Sequence, residues 1–437
     1  MTKLKIASVL LASALAILAV ASIDVYPGQS IQAAVNSASA GDTIRVFAGN
    51  YAERVTVNKV VTLLAVGTAE TDGFTVTSVG VTIKGFVIES MVNNSVNGVG
   101  IYVSGSDCKI INNTIRNTAR GGIFLLYTTD NCLVKNNKIT ANVSQYGISV
   151  RGTNHVIEGN KIADIRQYSQ YWINPPSYVD ADGIRFHGSG HVIRNNYIYG
   201  IPYGGDNVDA HIDCFQTFDI PPYQPGAVNV LFENNQCYNA HAIGLNKWTS
   251  GWMLQDARDI ILLGNVSKTY IGVNANGTSG LIVKNNTFVG NLTLPVYHPA
   301  GITLNNASAV IENNIFHEML GHAIYQTNST VSGKNNIMYR SGGTLWTTAT
   351  YNHVNDLWGV DPLLGATYHP LANSPACLAI GYIGAYPCTI APTITPSLTR
   401  TPTLTPTPTP TPTLTPTPTP ECFVLNTHVG KVIVCVP

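Results

Sequence analysis

The sequence predicts an all-β chain wound as a parallel β-helix, a solenoid closed at its start by a short cap helix. Three observations predict it. First, one phrase recurs: Asn112-Asn113-Thr114-Ile115 returns as Asn136-Asn137-Lys138-Ile139, Gly159-Asn160-Lys161-Ile162 and Asn195-Asn196-Tyr197-Ile198, and continues to Asn335-Asn336-Ile337-Met338. The first positions are 24, 23, 36, 39, 30, 21, 28 and 22 residues apart, so a unit near 22 residues carries insertions in some coils. A period of that size makes each repeat one supersecondary unit in a stack. Second, short β-rich runs alternate with tight polar turns, and no helical period intervenes. Third, only 11 % of residues are charged, against about a quarter in ordinary globular domains. Lys plus Arg equals Asp plus Glu at 24 each, which argues against nucleic acid as a partner, since that would need a basic surplus. The Asn pairs themselves read as structure. Asn tolerates a left-handed turn, and stacked Asn side chains can hydrogen-bond along a ladder.

In chain order, residues 1–21 read as a secretory signal: Lys3 and Lys5, an apolar run from Ile6 to Val20, and the small-x-small pattern Ala19-Val20-Ala21. The run is short for a spanning helix, so no membrane span is expected in the mature chain, with an uncleaved anchor as the alternative. Eight cysteines then belong to an oxidising, extracellular setting.

Residues 22–389 form the predicted solenoid domain. Tyr26-Pro27-Gly28-Gln29-Ser30-Ile31-Gln32-Ala33-Ala34-Val35 has the pattern of a small amphipathic helix. Gly41-Asp42-Thr43-Ile44-Arg45-Val46, Gly49-Asn50-Tyr51-Ala52-Glu53 and Val60-Val61-Thr62-Leu63-Leu64 follow it. This segment resembles the N-terminal entry of the right-handed parallel β-helix, pectin-lyase-like superfamily. The resemblance implies that the helix covers the open end of the first coil, where backbone donors and apolar core would otherwise be exposed. It implies the fold. It leaves the activity open, because that superfamily hosts lyases, hydrolases, esterases, epimerases, adhesins and phage spikes.

Over residues 75–165 the coils are regular. Cys108, Cys132, His155 and His191 each stand four residues before an Asn or Gly-Asn turn, and Ile110, Val134, Ile157 and Ile193 stand two before it. Alternation puts both sets on the inward side. Cys108 and Cys132 are expected to stack as buried thiols or as a disulfide. A zinc site is disfavoured, because four ligands in one straight ladder span roughly 14 Å, whereas zinc needs its donors within about 2.3 Å.

Residues 166–260 break the regularity, and the function is placed here. Insertions occur at 166–179, around 202–209 with the Pro-rich 221–225, and around 247–252. Long loops on successive coils should build a cleft on a rigid scaffold. Tyr171, Trp172, Trp248 and Trp252 offer faces for sugar rings, with loop packing as the alternative, and Gln216, His241 and Gln255 offer polar contacts. Asp182-Gly183-Ile184-Arg185 aligns with Asp213-Cys214-Phe215-Gln216, which puts Asp182 beside Asp213 and Arg185 beside Gln216. Ile184 and Phe186 should point inward, Arg185 and His187 outward. Carboxylates on neighbouring strands, about 4.8 Å apart, repel unless a proton or cation intervenes.

Two chemistries suit this set. In a lyase acting on an acidic glycan, a cation or Arg neutralises the uronate carboxylate, a base removes the adjacent proton, and the glycosidic oxygen leaves by β-elimination. Asp180, Asp182, Asp209 and Asp213 are then the candidate Ca²⁺ ligands, and Arg185, His211 or Lys247 the candidate base, with His187 in the same cluster. In a glycoside hydrolase, Asp182 and Asp213 would act as the carboxylate pair. The superfamily's pectate lyases resemble the first pattern and its polygalacturonases the second. The chain has neither an Arg-x-Pro-x-x-Arg string nor a Gly-His-Gly string, so no motif selects between them. Elimination on a uronate polysaccharide by a monomer is the favoured reading. A non-catalytic glycan-binding or scaffolding protein of the cell surface is the competing class.

After further plain coils, residues 356–389 resemble the closing segment of secreted bacterial β-helices, with Cys377 and Cys388 as a pair. Residues 390–420 are Thr-Pro repeats, an extended spacer of roughly 95 Å at about 3.1 Å per residue. Residues 421–437 hold Cys422 and Cys435, which suggests a disulfide-clipped hairpin.

Overall fold

The computed structural model describes residues 21–387, except 91, 93–95, 142, 167–180, 202–211, 220–225, 241–248, 291–299, 320, 340–351 and 379–382, together with 421–427 and 430–436. The expected leader and the Thr-Pro spacer therefore lie outside the described residues. Within the solenoid each coil crosses three faces. Strands of the first face run from Val99–Val103 to His322–Thr327, of the second from Thr82–Lys84 to Asn352–Val354, and of the third from Val87–Ser90 to Leu357–Trp358. Each strand pairs in parallel with its counterparts one coil away, so Val134 lies between Ile110 and Ile157, and Ile162 between Ile139 and Ile198.

The Asn phrase is the corner between the second and third faces. Its first residue turns the chain: Asn112, Asn136, Asn195, Asn234, Asn285, Asn313 and Asn335 have φ between 54° and 58°. Gly159 and Gly264, which take that position in two coils, have φ of 67°. The second Asn points inward and is buried. The Asn160 Nδ2 donates to Val134 O at 2.9 Å and to Asn196 Oδ1 at 3.0 Å, and its backbone N–H donates to the same oxygen at 3.0 Å. The pattern repeats from Asn113 through Asn137, Asn196, Asn235, Asn265, Asn286 and Asn314 to Asn336. It ends on Asp356, whose Oδ1 accepts from Asn336 N at 2.7 Å and Nδ2 at 3.2 Å. A buried corner leaves backbone groups unpaired, and the ladder pairs them.

The ladder before the second face is polar and sealed. Cys108, Cys132, His155 and His191 are all buried, and both thiols are free. The imidazoles stack with centroids 5.2 Å apart. His155 Nδ1 accepts from Cys132 N at 3.0 Å, and His191 Nδ1 from His155 N at 3.2 Å. Their Nε2 atoms lie 2.8 Å from Arg151 O and 2.7 Å from His187 O. Both rings are therefore neutral Nε2–H tautomers, and burial pushes His155 down to about 4 and His191 to about 3.

The start of the solenoid is covered by a helix, and the closing segment covers part of the third face. The helix Ile31–Ser37 turns Ile31, Ala34 and Val35 into the first coils. Ser30 caps it, and the Glu53 carboxylate accepts from Ile31 N at 2.6 Å and Gln32 N at 3.2 Å, an anion placed at a helix N-terminus. On the outer side of the third face Ala376 and Ile383 pack on Ile315 and Ile337, and Gly384 N donates to Asn313 O at 2.9 Å. Cys377 is disulfide-bonded, and its expected partner Cys388 lies outside the described residues. Glu421–Thr427 and Gly430–Val436 form an antiparallel hairpin with Cys422 opposite Cys435. Among the described residues no helix is long and apolar enough to cross a membrane.

Candidate functional site

The first face owes its chemistry to a small residue repeated in every coil. Gly100, Gly122, Gly147, Gly183, Gly251, Gly272 and Gly301 each precede an inward apolar residue. A Cβ on Gly183 would lie 2.7 Å from the Ile198 side chain and 2.7 Å from Cys214 O, and the same crowding recurs along the series. The position therefore faces inward, as does the residue after it. Two successive inward residues break strict alternation and leave positions three apart on the same outer side. Asp182 and Arg185 consequently meet: Arg185 Nε and Nη2 donate to Asp182 Oδ2 at 2.8 and 2.6 Å. Gln216 Nε2 donates to Asp213 Oδ2 at 3.3 Å in the same relation one coil on. Cys214 takes the glycine position in that coil and is bonded to Cys237 of the third face, with Cα atoms 6.1 Å apart.

The register places Ile184 on Phe215 and Arg185 on Gln216, as the alignment of the two phrases requires. One outer column reads Tyr146, Asp182, Asp213, Ser250, and the next Ser149, Arg185, Gln216, Met253. Ser250 N donates to Asp213 Oδ1 at 2.7 Å. The Arg185 guanidinium lies 5.8 Å from the Tyr146 ring centroid and 5.6 Å from that of Phe218. A single guanidinium thus holds one carboxylate and rests on two aromatic faces, which fixes its plane. Burial pushes the Tyr146 phenol up to about 12, so it is a neutral donor.

Two expectations need correction. His187 is not exposed to a ligand. It is fully buried edge-on to Phe218, centroids 4.9 Å apart. Burial first, then the charges of Arg151 and Arg185, push it down to about 3, so it is a neutral ring beneath the site. Trp252 is not a sugar platform. Its inward column is that of Ile184 and Phe215, it is fully buried, and it stacks on Phe215 with centroids 5.0 Å apart. Gln255 ends the strand Thr249–Gln255 and is partly exposed. Tyr171, Trp172, Asp180, Asp209, His211, His241, Lys247 and Trp248 lie outside the described residues. Their segments 167–180, 202–211 and 241–248 each join a third-face strand to a first-face strand beside Asp182 and Asp213. Tyr146, Arg151, Phe218 and Ser250 were not singled out from sequence. The phrase Tyr146-Gly147-Ile148, parallel to Asp182-Gly183-Ile184, carried the signal for the first of them.

Among the described residues no group of three or more His, Cys, Asp or Glu could hold a metal ion. Asp182 is taken by Arg185 and Asp213 by Ser250 and Gln216. The described residues alone do not make a calcium site.

A right-handed solenoid with a carboxylate–guanidinium cluster on its first face is the class that fold and site define. The sequence matches the family described as right handed beta helix region over residues 53–214 and 99–356, and the chain belongs to that family. Its fold is the right-handed parallel β-helix. Among solved structures, the Azotobacter vinelandii mannuronan C-5 epimerase AlgE4 A-module superimposes with a TM-score of 0.52 at 13% identity, covering 75% of this chain and 94% of that one. The AlgE6 A-module of the same organism gives 0.48 at 12% identity, over 75% and 94%. An alginate lyase from Paenibacillus sp. str. FPU-7 gives 0.41 at 14%, over 78% and 99%. The likeness to the AlgE4 module is a likeness of fold. No curated protein matches the sequence.

Proposed function

We propose that this protein is a secreted enzyme that cleaves an acidic polysaccharide by β-elimination at the first face. The observation that carries the reading is Arg185, gripped by Asp182 and seated between Tyr146 and Phe218, beside Gln216 and Asp213. A guanidinium so held is suited to a uronate carboxylate, whose neutralisation acidifies the adjacent C–H. His211 and Lys247, on the segments joining the third face to this one, are the proposed bases. The electron pair of the broken C–H bond becomes the new C=C bond, and the glycosidic oxygen leaves with its own pair and takes a proton. The hydrolase reading suits the geometry less well. A carboxylate in an arginine fork is an acceptor, whereas the acid of a hydrolase must donate a proton.

The test is product formation on a panel of uronate polysaccharides, with Ca²⁺ and with chelator. Ultraviolet-absorbing unsaturated ends together with new reducing ends, both lost in Asp213→Ala, support elimination. Reducing ends without ultraviolet absorbance would favour hydrolysis. Silence on both, with retention on a glycan column, would favour a binding protein. A calcium contribution is proposed to rest on Asp180 and Asp209, and turnover lost in chelator and restored by Ca²⁺ is the result that supports it.

A further inference from the structure

A second site is built on the other side of the solenoid. The third-face strands Tyr197–Ile201, Gln236–Ala240 and Val266–Lys268 stack side by side, and the closing segment lies against them through Tyr368 and Tyr386. Between them lies a cavity of about 400 Å³ lined by Tyr197, Gln236, Tyr238, Lys268, Tyr368 and Tyr386, among others. Its walls are aromatic. Tyr238 lies parallel to Tyr368 with centroids 6.0 Å apart, and Tyr197 meets Tyr238 edge-on at 5.7 Å. His369 stacks on Tyr386 at 3.6 Å. The polar groups are few and held in place. Gln236 Nε2 donates to the Tyr386 hydroxyl at 2.7 Å, and Thr367 Oγ1 lies 2.9 Å from His369 Nδ1. Burial pushes the phenols of Tyr238 and Tyr386 up, so both remain neutral donors. One cation stands in the wall: Lys268 Nζ, 5.5 Å from the Tyr368 ring centroid. Among the described residues no carboxylate lies within ion-pair distance of it.

We propose that this cavity is a non-catalytic binding site for a hexuronic acid residue of a polysaccharide chain. The aromatic faces suit the apolar face of a pyranose ring, the phenols and amide its hydroxyls, and Lys268 its carboxylate. A cavity of this volume admits one sugar ring. The cavity lies on the third face and shares no residue with the first-face cluster, so it can hold a glycan whether or not that cluster turns one over. The closing segment then does more than cover part of the third face: residues 366–369 and 386 supply one wall of the site.

The experiment is calorimetric titration of the full chain with D-galacturonate, and separately with D-galactose, in an Arg185→Gln background that disables carboxylate binding at the first face. Saturable galacturonate binding is expected to persist there. Adding Lys268→Gln should weaken it by up to about fivefold, the scale of one partly exposed ion pair, without lowering Tm, and Lys268→Arg should restore most of it. Tyr368→Ser should abolish it. The proposal is overturned if galacturonate binding vanishes in the Arg185→Gln background. It is also overturned if both pocket substitutions leave binding unchanged in chains of normal Tm, or if galactose binds as tightly as galacturonate. Turnover is measured on the chain with its native pocket, so failure of the cleavage reading and failure of this one are separate results.

Discussion

At the scale of single residues, the chain uses buried polar groups as directional parts. Each ladder Asn donates forward along the stack and accepts from behind, so its amide must present the right atom on each side. Asp356 closes the row because the last member needs only to accept. Replacing Asn196 with Asp should therefore do more harm than its near-identical shape suggests. It would set a carboxylate oxygen against Asn235 Oδ1, now the acceptor of the Asn196 Nδ2 at 3.0 Å. A loss of about 2–4 kcal/mol is expected from an unmade buried hydrogen bond and a buried charge, read as a marked fall in Tm, while Asp356→Asn should fall by less. An unchanged Tm for Asn196→Asp would contradict the directional ladder.

The histidines make a second residue-scale prediction. In the unfolded chain an imidazole binds its proton near pH 6.5, whereas folded His155 holds out to about 4 and His187 and His191 to about 3. Between these limits the unfolded state binds more protons. Stability is then complete above about pH 6.5 and is lost as pH falls toward 4. Tm measured across that window should drop steeply. The double variant His155→Gln, His191→Gln should start lower and show a flatter slope. Equal slopes would show that acid acts elsewhere.

At the scale of elements, the unit is a coil in which a small residue on the first face lets the third face approach. Gly147→Ala places a Cβ 2.7 Å from Gly183 O and 2.6 Å from Ile162 Cγ2. Overpacking of this kind costs about 1–3 kcal/mol, and here it should also shift Tyr146 away from Arg185. In the Cys214 coil a covalent bond to Cys237 takes the place of that contact. Cys214→Ser should cost about 2–4 kcal/mol, seen as a lower Tm on which reductant has a smaller effect than on the native chain. The coil spacing and the pairing of Arg185 with Gln216 were legible in the sequence, because both follow from periodicity alone. The Asn corner was legible because few residues accept a left-handed φ. Trp252 was misread because proximity to an insertion outweighed its column, which it shares with Ile184 and Phe215. His187 was misread because alternation carried past the end of a strand ignores the ring of Phe218 lying over it. The third-face cavity was not legible at all, since Tyr197 and Tyr386 are 189 residues apart and meet only through the closing segment.

At the scale of the molecule, the solenoid separates the two faces proposed to meet a glycan. The first carries paired carboxylates and an oriented guanidinium, and the third carries an aromatic cavity with one lysine. Both suit an acidic chain, although the protein's own net charge is +0. Recognition on this account is local, made by single cations set on aromatic rings and not by a long-range basic field. The measurement that bears most directly on the central claim is ultraviolet detection of unsaturated ends from the most responsive uronate polysaccharide, comparing the native chain with Arg185→Gln at equal Tm. The account predicts steady formation of such ends by the native chain and a loss of about 100-fold or more in kcat/KM for the variant, the scale for removing one oriented transition-state donor. Turnover unchanged by that substitution would contradict it.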